Sequence, residues 1–133
     1  MTISATGRDA TEHEPRRVIE RWTEVWNLGR LEWIAELVAD PCLRHHPGRV
    51  ETLTPAENEE RVRAGRDRFP GVAFENAVLT AAGEYVTSCF TMRWNDPDAP
   101  GGRHERAGIE VFRVVDGRIA ETWNAEPGEG PWR

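Results

Sequence analysis

The sequence predicts a single α+β domain, in which helices occupy the first half of the chain and antiparallel strands the second half. Up to about residue 39, apolar residues recur every three or four positions, which is the spacing of amphipathic helices. From residue 72 onward, apolar segments of strand length alternate with turn residues such as Asp116-Gly117. The length of 133 residues is enough for one domain with its own hydrophobic core.

The first helix is predicted to follow a mobile tail that covers residues 1–13, so that one domain comprises residues 14–133. The tail is polar and rich in small residues, and it has little apolar surface to bury. The helix begins at Pro15, after a Thr11-x-x-Glu14 pattern typical of a capping box, and ends at Gly29. Its apolar stripe consists of Val18, Ile19, Trp22, Val25 and Trp26.

Two further helices are predicted before the strands begin. The second covers residues 30–39, because Asp40-Pro41 prevents its continuation. The third begins at Thr54-Pro55-Ala56-Glu57, a capping box with proline at the first helical position, and ends near residue 67. Its segment "RVRAGRDR" is interpreted as a solvated face.

Four strands are predicted in the second half, over residues 72–79, 85–94, 103–115 and 118–125. A short extended segment at residues 42–46, closed by Pro47-Gly48, precedes the third helix. The segment "NDPDAPGG" between the second and third strands has the composition of a flexible loop.

Charge and composition exclude several classes of function. The formal net charge of −6 argues against general nucleic-acid binding, which needs a basic surface. Cys42 and Cys89 lack the spacing of a metal site and are interpreted as reduced thiols. No apolar run approaches the ~18 residues of a membrane span, and the N-terminus lacks an apolar signal core, so we expect a cytoplasmic protein.

The last hairpin permits two strand registers. A two-residue type I′ turn would pair Val115 with Arg118, whereas a three-residue loop would pair Val114 with Arg118. The second register is favoured because it separates an apolar face from a mixed face, which is interpreted as lining a cavity. The apolar face would comprise Ile109, Val111, Ile119 and Trp123. The mixed face would comprise His104, Glu110, Phe112, Thr122, Asn124 and Glu126.

Three segments resemble the nuclear transport factor 2-like superfamily and, within it, the SnoaL-like polyketide cyclases: "VIERWTEVWNLGRLEWIAELVADPCLRHHPG", "RDRFPG" and "GIEVFRVVDGRIAETWNAE". The likeness spans roughly residues 15–127, and "GIEVFRVVDGRIAETW" is its most specific part. It implies a cone-shaped barrel, in which three N-terminal helices pack on a strongly curved, mainly antiparallel sheet and leave an apolar pocket. It also implies a homodimer formed through the outer face of the sheet.

The resemblance implies roles for individual residues. SnoaL-like cyclases carry an acid/base residue just after the tryptophan of the last strand, where this chain has Glu126. Ketosteroid isomerases, which are more distant relatives, carry a protonated acid in an "I-D-V" motif that matches Ile109-Glu110-Val111. Their general base and their oxyanion tyrosine correspond here to His46 and Trp22, so steroid isomerase activity is not expected.

Acid/base chemistry is predicted for Glu110, Glu126 and His104 in this pocket. An apolar cavity raises the pKa of a carboxyl group toward working pH, and histidine titrates near neutrality. With no metal, flavin or nucleotide motif, the expected reaction is cofactor-free: aldol or ether-ring cyclisation, dehydration or epoxide opening of a polycyclic or polyketide-derived molecule. The residues expected to bind this substrate are Trp22, Trp26, His45, His46, Phe90, Met92, Phe112 and Asn124.

Each acid/base candidate also has a non-catalytic interpretation. Glu126 could be a solvated charge at a strand end, and His104 could lie in solvent beside the loop. Glu110 lies between apolar neighbours and needs a partner, which a salt bridge to Arg93 or Arg113 could provide.

The histidine pair and the class of the domain leave alternatives as well. One of His45 and His46 is expected to face the pocket, and alternation from Leu43 favours His45. The whole domain could be a non-catalytic module that binds a hydrophobic ligand or dimerises. Acids that are all paired with arginines would favour that module, whereas several titratable groups around one point of the cavity would favour an enzyme.

Overall fold

The computed structural model describes residues 10–133, which form three helices and a seven-stranded sheet. The helices are α1 (Pro15–Leu28), α2 (Ile34–Leu37) and α3 (Pro55–Arg68). The strands are β1 (Val38–His46), β2 (Arg49–Leu53), β3 (Ala73–Ala82), β4 (Tyr85–Asn95), β5 (Arg103–Val115), β6 (Arg118–Asn124) and β7 (Gly128–Glu129). Short 3-10 helices cover Ala10–His13, Leu31–Trp33 and Pro100–Gly102. No helix among the described residues is both long and apolar enough to cross a membrane.

The sheet is curved and mostly antiparallel, with strand order β2-β1-β6-β5-β4-β3. Only β1 and β6 run parallel among the pairs formed by the described strands, and β7 extends the sheet beside β5. The helices pack on one face of this sheet, so the predicted α+β architecture is confirmed.

The core lies between α1 and the inner face of the sheet. Val18, Ile19 and Val25 of α1 are almost completely buried. They belong to one cluster with side chains of the central strands, among them Val86, Phe112, Val114 and Ile119. Because Trp22 and Trp26 lie on the same helix, this packing also positions their side chains, which line the cavity described in the next section.

The predicted ends of α1 and α3 are mostly confirmed. Gly29 ends α1 in the left-handed conformation, with φ 70°. At α3, the Glu57 N–H donates to Thr54 Oγ1 at 3.1 Å and the Thr54 N–H donates to Glu57 Oε1 at 3.0 Å, which is a capping box. The capping box predicted at Thr11 is wrong, because Glu14 is the N-cap of α1 and makes no side-chain capping bond.

The predicted second helix is too long. The chain makes a 3-10 turn at Leu31–Trp33 and a single helical turn, α2, before β1 begins at Val38. Val38 pairs with Ile119 in the parallel β1–β6 ladder, so sheet pairing overrides the local helical pattern. The extended segment predicted at 42–46 is the end of β1. Strand β2, which was not predicted, pairs with it after the turn at Gly48.

Most of the tail predicted over residues 1–13 lies outside the described residues, so its mobility stays a prediction. Its last part forms the 3-10 helix Ala10–His13. Glu12 in this helix contacts α1, since Arg17 Nε donates to Glu12 Oε1 at 3.1 Å.

The last hairpin has the two-residue turn, which the sequence did not favour. Most of its side chains nevertheless lie on the faces of the sheet that were predicted. Val115 pairs with Arg118 across a two-residue turn, in which Asp116 and Gly117 have φ of 51° and 78°. A bulge at Ala120 then shifts the register by one residue. Beyond the bulge, Phe112 pairs with Thr122, and Glu110 with Asn124. Before it, Ile119 pairs with Val114 in the buried core, so the prediction that Ile119 lies on the outer face is wrong.

Candidate active site

A cavity of about 220 Å³ lies between α1, α3 and the inner face of the sheet. Its walls include the five apolar residues predicted as substrate contacts, Trp22, Trp26, Phe90, Met92 and Phe112. The other lining residues are Ile19, Thr23, Arg44, Arg61, Phe74, Asn76, Ser88, Glu110, Asn124 and Pro127. A largely apolar wall with a few polar groups is the usual composition of a small-molecule site.

Glu110 is the carboxylate of this cavity. It lies on β5 between Ser88 of β4 and Asn124 of β6, its partners in the two ladders. Its side chain is 16% exposed, and Asn124 Nδ2 donates to Glu110 Oε2 at 3.3 Å. Burial raises the pKa of Glu110, while the charges of Arg44 and Arg61 and the hydrogen bond from Asn124 act in the opposite direction.

Arg44 is the cationic partner of Glu110, with Nη1 3.6 Å from Glu110 Oε2. It lies on β1 and points inward in alternation with the buried Cys42. Neither arginine predicted for Glu110 reaches it: Arg93 Nε donates to Glu105 at 2.7 Å and Arg113 Nε donates to Glu84 at 3.2 Å. Alternation counted from Cys42 would have identified Arg44 from the sequence.

Arg61 of α3 is the second arginine in the lining. Its Nε and Nη2 donate to Asn58 Oδ1 at 3.3 and 3.2 Å, and its guanidinium lies 5.9 Å from the centre of the Trp26 ring. Burial, with repulsion from Arg44, lowers the pKa of Arg61 to about 10, which still leaves it cationic at neutral pH. The interpretation of "RVRAGRDR" as a solvated face is therefore wrong for Arg61.

A signal for the inward position of Arg61 exists in the sequence. Asn58 and Val62 are buried on the same face of α3, one turn apart. Gly65 follows on this face, and a Cβ there would lie 2.7 Å from the Trp26 ring. The spacing of Asn58, Val62 and Gly65 thus defines the inward face of α3, and Arg61 lies beside it.

A chain of hydrogen bonds joins three polar side chains of the cavity lining, Ser88, Asn76 and Thr23. Ser88 Oγ donates to Asn76 Oδ1 at 2.6 Å, and Asn76 Nδ2 donates to Thr23 Oγ1 at 3.1 Å. Thr23 Oγ1 in turn donates to the Ile19 carbonyl oxygen at 3.0 Å. These bonds hold the three side chains in place. None of the three was predicted from the sequence as a site residue.

The sequence profile of the SnoaL-like polyketide cyclases matches residues 16–126. The chain belongs to this family. No curated protein sequence matches the SnoaL-like chain.

Solved structures share the fold of this SnoaL-like domain. One is IdmH, a proposed polyketide cyclase from Streptomyces antibioticus, with 23% identity and a TM-score of 0.72, covering 84% of this chain and 91% of that one. A proposed polyketide cyclase from Acidithiobacillus ferrooxidans has 23% identity and a TM-score of 0.72, covering 93% and 89%. A proposed ketosteroid isomerase from Kribbella flavida has 16% identity and a TM-score of 0.69, covering 92% and 82%.

The predicted convergence of Glu110, Glu126 and His104 in the SnoaL-like cavity is wrong. Glu126 is exposed just after the end of β6, and it is not among the lining residues. His104 stacks on Trp94 with 4.5 Å between ring centres, and its Nε2 lies 2.7 Å from Glu129 Oε2. Glu110 and Asn124 alone of the mixed-face polar candidates lie in the cavity, because β6 ends at Asn124 and the N-terminal part of β5 extends past the cavity.

The two histidines lie outside the lining. His45 points to the outer face, where it stacks on Trp123 at 4.9 Å and has Nε2 2.6 Å from Glu121 Oε2. The preference for His45 as the inward residue is wrong, because Arg44 takes the inward position. His46 Nε2 lies 2.9 Å from Glu51 Oε1, and this contact lowers the pKa of Glu51.

Glu110, Arg44 and Asn124 together can move a proton and stabilise an oxygen anion. Glu110 can take or give the proton, and the guanidinium and amide N–H groups can donate to the oxygen on which charge develops. Among residues 10–133, no cluster of histidine, cysteine, aspartate and glutamate side chains has an arrangement that could hold a metal ion.

Proposed function

We propose that this SnoaL-like protein catalyses a cofactor-independent aldol cyclisation of a small polyketide-derived molecule, with Glu110 as the acid/base residue. The observation that carries the proposal is the position of Glu110, buried in an apolar cavity beside Arg44 and Asn124. Because burial raises the pKa of Glu110, its carboxylate is a stronger base than an exposed glutamate. Membership of the polyketide cyclase family supports the same class of reaction.

The proposed reaction conserves all atoms of the substrate. Ionised Glu110 removes a proton from the carbon next to a carbonyl group, and the resulting enolate oxygen accepts hydrogen bonds from Arg44 and Asn124. The enolate carbon then forms a bond to a second carbonyl carbon of the same molecule. Protonated Glu110 returns its proton to the alkoxide, so the product is a ring with a hydroxyl group and the enzyme is restored.

The size of the cavity limits the part of the substrate that enters. Its volume of about 220 Å³ is below the ~300–1,000 Å³ typical of pockets that enclose drug-sized ligands. Trp26, Phe74 and Met92 are among the lining residues that are only partly buried, so the cavity is not closed to solvent. We therefore propose that the reacting ring lies inside, while the rest of a polycyclic substrate extends past these side chains.

The test is an aldol cyclisation assay on a model triketone, 2-methyl-2-(3-oxobutyl)cyclohexane-1,3-dione, with the product separated by chromatography. We expect the protein to accelerate ring closure over buffer, and Glu110→Gln to reduce this rate ~100-fold or more, because amide cannot replace the acid/base group. The matched control is Glu126→Gln, the same change at an exposed glutamate, which should keep the wild-type rate. A loss of rate in the control with none in Glu110→Gln would transfer the role to Glu126.

The second candidate is a non-catalytic module that binds a hydrophobic ligand. The 3.6 Å contact between Glu110 and Arg44 favours it, because an acid paired with an arginine is what a binding cavity was expected to contain. Under this alternative, the triketone binds without ring closure, and Glu110→Gln leaves no activity to lose. We also propose a homodimer through the outer face of the sheet, which exposes Ile109, Tyr85 and Trp132.

A further inference from the structure

The charged groups of the cavity do not balance. Its described lining contains two arginines, Arg44 and Arg61, and one carboxylate, Glu110. We call this part of the cavity, formed by Arg44, Arg61 and Glu110, the arginine end.

Arg61 is the source of the imbalance. Among the described residues, its guanidinium hydrogen bonds are to the neutral amide oxygen of Asn58, and no carboxylate forms an ion pair with it. Neighbouring arginines of the chain differ in this respect, since the exposed Arg63 on the same helix contacts both Glu59 and Glu60.

Arg44 also keeps unused hydrogen-bonding capacity. Its Nε is buried and has no hydrogen-bond partner among the described residues, although Glu51 Oε1 lies 3.6 Å away. Glu51 is shared, because His46 and Arg49 contact the same carboxylate. Adding Glu51 and Arg49 to the arginine end therefore leaves three arginines with two carboxylates.

Arg61 is partly buried, and a cation that is removed from water without an anionic partner costs folding free energy, which a bound anion offsets. Guanidinium groups bind carboxylates in particular, because their parallel N–H donors match the two carboxylate oxygens. The apolar side chains of Trp22 and Phe112 lower the local polarity of the cavity, which strengthens such a contact.

We propose that the arginine end binds the carboxylate of the ligand, so that the cavity selects ring compounds that carry an acid group. This inference rests on the proposed function for the identity of the reacting ring, but carboxylate binding can be measured without turnover. It assigns Arg61 as a specificity-determining residue and gives the substrate class as an aromatic or alicyclic carboxylic acid.

The experiment compares 2-naphthoate with its neutral counterpart 2-naphthamide by isothermal titration calorimetry at neutral pH and low salt. We expect naphthoate to bind the wild-type protein at least about tenfold more tightly than naphthamide, as charge-assisted hydrogen bonds are stronger than neutral ones. Equal binding of the two compounds, or tighter binding of naphthamide, would overturn the proposal.

Two variants locate the effect. Arg61→Gln should weaken naphthoate binding about tenfold and leave naphthamide binding unchanged. Arg63→Gln removes the same charge from an exposed position of α3 and should change neither affinity. An equal loss of naphthoate binding in both variants would reduce the effect to long-range charge and contradict a subsite. Should Arg61→Gln fail to fold, as judged by its melting curve, the wild-type comparison still decides.

Failure of this inference can be told from failure of the proposed function. If naphthoate binds selectively but the triketone is not cyclised, the carboxylate subsite holds and the catalytic proposal fails. If the triketone is cyclised but naphthoate binds no more tightly than naphthamide, the catalytic proposal holds and the carboxylate subsite fails. Glu110→Gln adds a third observation, because removal of the competing carboxylate should tighten naphthoate binding.

Discussion

The inner and outer faces of strand β5 have opposite characters. On the inner face of β5, Glu110 and Phe112 line the cavity, and on the outer face Ile109 is 48% exposed. The face that carries Glu110 is therefore the buried one, whereas the face that carries Ile109 is in contact with water. Sorting residues by hydrophobicity therefore predicts the facing of β5 and of β6 beyond its bulge, but not the facing of Ile119, which is buried.

Burial explains why similar ion pairs on the two faces have different consequences. The side chains of Glu110 and Arg44 are mostly removed from water, so the charge of Arg44 acts strongly on the pKa of Glu110. On the outer face, Arg113 contacts Glu84 at 3.2 Å with both side chains largely solvated, where such pairs contribute little. Function follows from the environment of the charges and not from their number.

The largest expected difference between the faces concerns stability. Phe112 is 4% exposed, and Phe112→Ala should lower the free energy of unfolding by ~3–5 kcal/mol, because it removes a buried ring and leaves a cavity. Ile109→Ala, on the exposed face of the same strand, should cost less than ~1.5 kcal/mol. Urea unfolding at low protein concentration measures both, and similar losses would mean that the outer face is covered.

The second prediction concerns the outer face as a contact between two copies of the chain. Ile109→Glu places a charge in the exposed apolar surface near Tyr85 and Trp132, and should shift the dimer–monomer equilibrium at least about tenfold toward monomer. Sedimentation equilibrium measures this shift. Ile109→Val is the matched control, since it keeps the apolar surface and should keep the dimer. A wild-type protein that is monomeric at all concentrations would contradict the proposal.

The first and third helices, the four strands of the second half and the facing of most residues in the last hairpin were predictable from the sequence because they depend on local patterns. Helix caps at Gly29 and Thr54, turn residues and alternation along β5 are properties of short segments. The end of α2 was not predictable in this way. Val38 is a strand residue because it pairs with Ile119, about eighty positions later in the chain, and a local helical pattern carries no information on this pairing.

The site was only half predictable for the same reason. Its walls and Glu110 came from patterns within α1, β4 and β5, and they line the cavity. Arg44 and Arg61 come from β1 and α3, two elements whose relation to Glu110 depends on the parallel pairing of β1 with β6 and on the packing of α3. The exposure of Glu126 depends on where β6 ends, and the strand predicted from the sequence was one residue too long.

The smallest predicted effect separates two carboxyl groups by the sign of their pH dependence. Burial raises the pKa of Glu110 above its ordinary value of 4.5, so in the window above 4.5 the folded protein holds a proton that the unfolded chain has lost. The Glu110 contribution to the free energy of unfolding therefore falls as pH rises through this window.

Glu51 should show the opposite sign. The hydrogen bond with His46 lowers the pKa of Glu51, so its contribution is present above 4.5 and is lost as pH falls below that value. Urea unfolding from pH 3 to pH 8, on the wild type, Glu110→Gln and Glu51→Gln, measures both differences. The groups that face Glu110, namely Arg44, Arg61, Asn124 and His46, are the same residues in the wild type and in Glu110→Gln, so the difference between these two proteins reports on Glu110. If the difference between wild type and Glu110→Gln is constant above pH 4.5, Glu110 is hydrated like an outer-face residue, and the contrast between the two faces loses its chemical basis.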